Sequence, residues 1–401
     1  MKLARLISSV TLMACAFLAL IAGINAANPK WGPLDAVQLT FPLLRGGSTS
    51  VYTGPISNRI ILFAGYSSDD SLRNPRLNDV WVLTNANGLG GTSTWSQLMP
   101  SSPLPPVRYK HSAVYDVANN RMIIYGGCGS PYSQQACIPI LNDVWVLSNA
   151  NGLDSTPPTW TKLFPTSAPP FPRQGHQAVY DPKTNSMIVW AGHSCCQSEC
   201  GPGAYSDVWV LSNANGLGGT PNWTPLSPIG GPPAGRYFST AVYDSLNNIM
   251  VVFGGLGLVG EQCTGTNAVW ALSHANGTGG TPVWSNLIPQ DATGSPANRL
   301  NHAAVYQPSS NTMIIFGGID FNHMFLGDTW VLSHANGLGG APVWKQLTNL
   351  TGPAPSARWN SGGIDTMNNL MIMFGGVGDG VENGAHVPLW STWVLSDPDG
   401  L

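Results

Sequence analysis

Six arginines recur down this 401-residue chain, at Arg45, Arg108, Arg173, Arg236, Arg299 and Arg358. Three positions after each stands Ser48, His111, His176, Ser239, His302 or Ser361, and beside three of the arginines stand Tyr109, Tyr237 and Trp359. A guanidinium offers paired planar donors to a carboxylate or a hydroxyl-rich ligand. A flat ring beside it can stack on the apolar face of a sugar. These nine arginine and aromatic residues are therefore the candidate ligand-binding set. The competing use is structural, because buried polar groups need partners and arginine and histidine can tie repeats together. No catalytic residue and no cofactor is assigned. The three histidines fall in units two, three and five of the repeat described below, and no metal is assigned to them.

Cysteine is the second reactive type. Residues 1–26 read as a secretory signal: Lys2 and Arg5 form a basic start, an apolar run extends from Leu6 to Ile24, and Ala26 can precede the cut. Retention as a membrane anchor and lipid modification at Cys15 are the alternatives. Six cysteines remain, Cys128, Cys137, Cys195, Cys196, Cys200 and Cys263. An even number in an exported chain favours disulfides. Cys128 and Cys137 can close one loop; the others leave several pairings open. The run "HSCCQSEC" could instead bind metal through His193, but its spacing lacks the two separated pairs of closed zinc sites.

What must position these residues is a repeat. Trp-x-x-Leu begins at Trp31, Trp95, Trp160, Trp223, Trp284 and Trp344, 60 to 65 residues apart. Each unit, opening near 45, 108, 173, 236, 299 and 358, carries four short apolar segments in one order. After the arginine come an aromatic and a small-Gly doublet, such as Tyr125-Gly126-Gly127. Then comes an Asp-Val-Trp segment, and last Trp-x-x-Leu. The first and third doublets are Ala-Gly, and the Asp of the third segment reads as Ala268 and Thr392 in units four and six. The segments are short, rich in Val, Ile and aromatics, and separated by Gly, Asn, Ser and Pro, which predicts strands and turns throughout. Four antiparallel strands repeated radially make a β-propeller blade.

This ordered set, arginine, His or Ser three on, aromatic-Gly-Gly, "DVW" and "WxxL", resembles the kelch repeat over roughly residues 31–397. The resemblance implies an all-β, six-bladed β-propeller of kelch type, an architecture like the central domain of galactose oxidase. The chain stops after a third strand, and "KWGPL" near residues 30–35 is a fourth strand without a preceding three. The N-terminal strand is therefore expected to complete blade six and close the ring, giving one domain over 27–401.

Without the signal the balance is 15 Lys+Arg (17 less Lys2 and Arg5) against 20 Asp+Glu. No basic run exists, so nucleic acid is not an expected partner, and no stable membrane insertion is expected once the signal is removed. The loop between strands three and four is nearly the same in every unit, as in "NANGLGG". The loop between strands two and three differs in each. Variation on one face of a repeat protein marks the binding face. The expectation is a secreted, periplasmic or cell-surface monomer that binds a protein or glycan ligand. The alternative is a carbohydrate-active enzyme of mutarotase or epimerase type working at the channel mouth. It would need a carboxylate facing an arginine, with Glu261, Asp320 and Glu382 as candidates. Asn222, Asn276 and Asn349 head glycosylation sequons.

Overall fold

The computed structural model describes residues 28–34, 41–67, 76–129, 137, 139–194, 204–259, 262–382, 385–388 and 391–399. Every regular element among them is a β-strand. Among the described residues no helix is long and apolar enough to cross a membrane.

Four-stranded antiparallel meanders repeat along the chain. The second sheet is Ser112–Asp116, Arg121–Cys128, Ile140–Ser148 and Thr159–Leu163. The third is Gln177–Asp181, Ser186–Trp190, Val208–Ser212 and Asn222–Leu226, and the fourth Thr240–Asp244, Ile249–Phe253, Val269–Ser273 and Val283–Ile288. The fifth is Ala303–Gln307, Thr312–Phe316, Thr329–Ser333 and Val343–Gln346. The first runs Thr49–Tyr52, Arg59–Ser67, Arg76–Thr84 and Trp95–Leu98. The sixth takes Arg358–Asp365, Leu370–Glu382 and Thr392–Ser396 from the C-terminal end and Lys30–Leu34 from the N-terminal end. There Trp31 pairs with Leu395 and Pro33 with Trp393.

The first strand of each sheet packs beside the first strand of the next, and that of the sixth packs beside that of the first. These six strands surround a central channel. The second strands lie between two neighbouring sheets and are buried on both faces. That is why their sequences run apolar without alternation, as in "MIIY", "MIVW" and "MIIF". Among the described residues the core is correspondingly split into six inter-sheet clusters. The last joins Ile372 and Phe374 of sheet six to Ile60, Leu62 and Trp95 of sheet one.

One aromatic pair recurs in each cluster. The tryptophan of Trp-x-x-Leu packs on the aromatic that precedes the doublet of the preceding sheet. Ring centroids are 5.2 Å apart for Trp31–Phe316, 4.7 Å for Trp95–Phe374, 4.9 Å for Trp160–Phe63 and 5.1 Å for Trp223–Tyr125. They are 5.9 Å apart for Trp284–Trp190 and 4.9 Å for Trp344–Phe253. The two most regular features of the repeat are thus the two halves of one contact.

The doublet serves the same junction. Gly127 N–H donates to the Arg173 carbonyl and Gly318 N–H to the Arg358 carbonyl of the following unit. At Gly317, with φ +67°, a β-carbon would stand 2.4 Å from the Arg358 carbonyl oxygen. Ala64 and Ala191 hold the equivalent left-handed conformation at φ 58° and 63°, so the Ala-Gly doublets keep the backbone path.

On the opposite face the uniform loops latch neighbouring sheets. The Nδ2 amides of Asn215, Asn276 and Asn336 donate to Asp116, Asp181 and Asp244, each at 2.7 Å. Asn87 does the same to Asp365 at 2.9 Å, joining sheet one to sheet six. The Asn276 sequon is therefore spent inside the fold.

Candidate functional site

The arginines stand where the chain enters each first strand, on the face that carries the varied loops. All six are buried, at 0 to 6% exposure. Each Nε–H donates to the carbonyl two residues earlier, and each Nη1 donates to the first carbonyl of its own doublet, as Arg108 does to Pro106 at 3.2 Å and Gly126 at 3.0 Å. Four of them also form a bidentate pair with the Asp of the third strand. These are Arg45–Asp79, Arg108–Asp143, Arg173–Asp207 and Arg299–Asp328, with closest approaches of 2.7 to 2.9 Å. The same carboxylate accepts from the neighbouring indole, Trp81, Trp145, Trp209 or Trp330. The donors of these four guanidiniums are therefore turned to the fold rather than to the channel.

Unit six corrects one alignment. The residue facing Arg358 is Ser391, whose Oγ accepts from Nη1 at 2.9 Å. Thr392 lies in the ladder opposite Phe374. In the five units where the arginine has a side-chain partner on this strand, that partner sits two residues before the tryptophan, and two before Trp393 is Ser391. Unit four has Ala268 at that place, as the sequence indicated.

The histidines also face inward to the protein. Nε2 of His111, His176 and His302 shares a hydrogen bond with Thr49, Ser112 and Thr240 of the neighbouring sheet, at 2.8, 2.8 and 2.7 Å. Burial, reinforced by the adjacent arginine, lowers all three, His176 to about 3 and the other two well below the ordinary imidazole value. They are neutral cross-braces. Among the described residues no three His, Cys, Asp or Glu gather as they would around a metal ion.

The channel mouth is a cavity of about 310 Å³. Of the nine candidate residues, Arg45 and Trp359 line it. Tyr109 packs under Arg76, whose guanidinium carbon lies 4.2 Å from its ring centroid, and Tyr237 packs against His193 with ring centroids 4.2 Å apart and planes tilted by 34°. The mouth is shaped instead by residues two positions after the arginines: Gly47, Lys110, Gly175, Phe238 and Asn301. All five have positive φ, from 54° to 62°. Their backbones form a chain of hydrogen bonds around the channel, each N–H donating to the carbonyl of the one before: Lys110 to Gly47, Gly175 to Lys110, Phe238 to Gly175 and Asn301 to Phe238. Side chains at this position are turned toward the opening. The Lys110 ammonium lies 4.7 Å from the Phe238 ring centroid, a cation–π pair. The sequence signal was available, since this position varies from unit to unit between the fixed arginine and the Ser or His three residues on, but it has no fixed residue type to attract notice.

Among the described residues, no aspartate or glutamate lines this cavity. Asp320 caps its own turn, accepting from Asn322 and Met324 N–H. Glu261 and the side chain of Glu382 lie outside the described residues. Cys128 and Cys137 form a disulfide in the second sheet. Cys195, Cys196, Cys200 and the side chain of Cys263 lie outside the described residues, as do residues 1–26.

Comparison with known proteins completes the picture. The model of the Attractin/LZTR1 β-propeller family matches residues 89–324. An F-box/kelch-repeat protein of Arabidopsis thaliana is 29% identical over 192 residues, 47% of this chain and 34% of that protein. Dynein regulatory complex subunit 7 of Chlamydomonas reinhardtii is 29% identical over 151 residues, 38% of this chain and 11% of that one. Kelch repeat-containing protein 2 of Saccharomyces cerevisiae is 29% identical over 234 residues, 57% of this chain and 23% of that one. The chain thus spans about a third or less of the length of these relatives. The solved structure of YjhT superposes with a TM-score of 0.57 at 15% identity, covering 87% of this chain and 94% of that one, a likeness of fold alone.

Proposed function

The chain belongs to the Attractin/LZTR1 β-propeller family, of kelch type, and from that premise we propose that it is an exported interaction module that binds a protein or glycan ligand on its varied-loop face. The observation that carries this reading is the division between the faces. One is made of near-identical loops whose asparagines are spent on inter-sheet latches. The other surrounds a cavity with Lys110, Phe238, Asn301 and Trp359, a set that changes from unit to unit and offers charge, amide and stacking together. A propeller fold by itself names no chemistry. Interaction fits a family in which one relative is, by name, a subunit of a complex. Export is supported by the basic start and apolar run of residues 1–26, and the Cys128–Cys137 disulfide suits an oxidising compartment.

A glycan array probed with the purified protein, alongside Phe238→Ala and Trp359→Ala, tests the proposal. Both rings are half-buried at the rim. Each variant is expected to weaken binding by about 1–3 kcal/mol, the scale of one large apolar side chain, with little change in melting temperature. Array signals that both variants retain in full would refute the channel mouth as the site. An array silent for the parent protein would remove glycans and leave protein ligands.

A further inference from the structure

The fourth unit keeps a buried arginine, Arg236, that has no carboxylate partner among the described residues. In four sheets an Asp side chain lies between a buried arginine and a tryptophan indole, accepting from both. In unit four the arginine is Arg236 and the tryptophan is Trp270, but the Asp position is Ala268. Arg236 is 6% exposed, its guanidinium carbon lies 5.8 Å from the Trp190 ring centroid, and its hydrogen bonds among the described residues go to backbone, to Ala234 at 3.1 Å and Gly254 at 3.3 Å. Among the described residues no carboxylate pairs with it. Burial pushes its ionisation down to about 10, which still leaves it a cation at neutral pH. An unpaired buried charge is costly. The site has not closed over the missing side chain: a cavity of about 420 Å³ opens there, lined by Arg236, Ala268 and Trp270 and walled by the polar Thr264, Asn286 and Asn298. That volume is far more than one absent carboxylate and falls in the range of small-ligand pockets.

We propose that this cavity binds a small monocarboxylate, whose carboxylate group takes the place between Arg236 and Trp270 that Asp79, Asp143, Asp207 and Asp328 fill in the other sheets. The four intact sheets display the recognition within the same molecule: two parallel guanidinium donors on one side and an indole N–H on the other. Asp291, on the cavity wall, opposes a second negative charge and so selects a monoanion over a dianion. The site is separate from the channel mouth, and its occupancy does not depend on the function proposed above.

Thermal melting with sodium lactate and sodium benzoate, against lactamide and benzamide at matched ionic strength, tests the proposal. A ligand that binds only the folded state raises the melting temperature saturably. The parent protein is expected to respond to the carboxylates and not to the amides. Arg236→Gln and Trp270→Phe should reduce the apparent affinity by at least about tenfold, in keeping with loss of a charge-assisted hydrogen bond. Ala268→Asp should restore the internal pair, melt higher than the parent without ligand, and lose the carboxylate response. This variant decides the matter if Arg236→Gln does not fold. A parent protein that fails to distinguish carboxylate from amide, or an Ala268→Asp variant that keeps the full response, overturns the proposal.

Discussion

His111, His176 and His302 are held neutral inside the channel wall, so acid acts on the fold first through them. Burial lowers each one, and the neighbouring arginine lowers it further. The unfolded chain takes up a proton on each imidazole near pH ~6.5, whereas the folded chain does not. Their contribution to stability is fully present above that pH and is lost as pH falls toward the folded values. Each can add a slope of up to about 1.4 kcal/mol per pH unit. Asp143, Asp207 and Asp328 act in a second window. Burial alone would raise their carboxyls, but the paired arginine and the indole outweigh it and hold them below the usual range. Their contribution is present above pH ~3.9 and is lost only as pH falls through the lower folded values. Urea midpoints measured from neutral pH downward should therefore decline from pH ~6.5, well before carboxylates titrate, and His176→Gln should show a shallower decline. A flat profile down to pH ~5 would contradict the buried, neutral imidazoles. The arginine-to-histidine spacing was legible in the sequence. The partners were not, because Thr49, Ser112 and Thr240 act from a different repeat and have no motif of their own.

At the scale of elements, the apolar segments predicted the strands closely, since second strands buried on two faces read as unbroken apolar runs and turn asparagines such as Asn120 and Asn248 take positive φ. The sequence could not show which repeated aromatic meets which. Trp223 and Tyr125 lie in different units, and only the stacking of sheets brings them to 5.1 Å. The inter-sheet contact predicts a uniform cost. Trp223 is 2% exposed at the centre of the junction between sheets two and three. Trp223→Ala should destabilise the protein by about 3–5 kcal/mol, the usual result of removing a buried large aromatic, and Trp160→Ala at the junction before it by a similar amount. Chemical denaturation of both variants reads this directly. A loss below about 1 kcal/mol in either would mean that the aromatic pairs are not the principal holdfasts of the junctions.

At the scale of the whole molecule, stability in a repeat array is close to a sum of nearest-neighbour interfaces, and here the sixth interface returns to the first. Chain continuity runs through every junction between sheets, so the discontinuity lies inside sheet six, where Lys30–Leu34 pairs with Thr392–Ser396. That short strand carries Trp31, 1% exposed and packed on Phe316 of sheet five. Its backbone also reaches the fifth sheet's exit, with Trp31 N–H donating to Thr351 and Thr351 N–H to Pro29. Deleting residues 28–34 removes the tryptophan and bares Thr392–Ser396 as an edge. The tryptophan alone is worth roughly 3–5 kcal/mol, and an unpaired edge invites association with another chain. The truncated protein should melt well below the parent and form dimers or aggregates in size-exclusion chromatography. A synthetic peptide of residues 28–34 supplied in excess should restore part of the melting temperature, because it re-forms the same ladder in trans. Trp31→Ala in the intact chain separates the two contributions: it should lower stability while leaving the association state of the parent unchanged, since the edge stays covered. A truncated protein that melts like the parent and elutes in the same association state would show that the N-terminal strand decorates the sixth sheet without holding the ring.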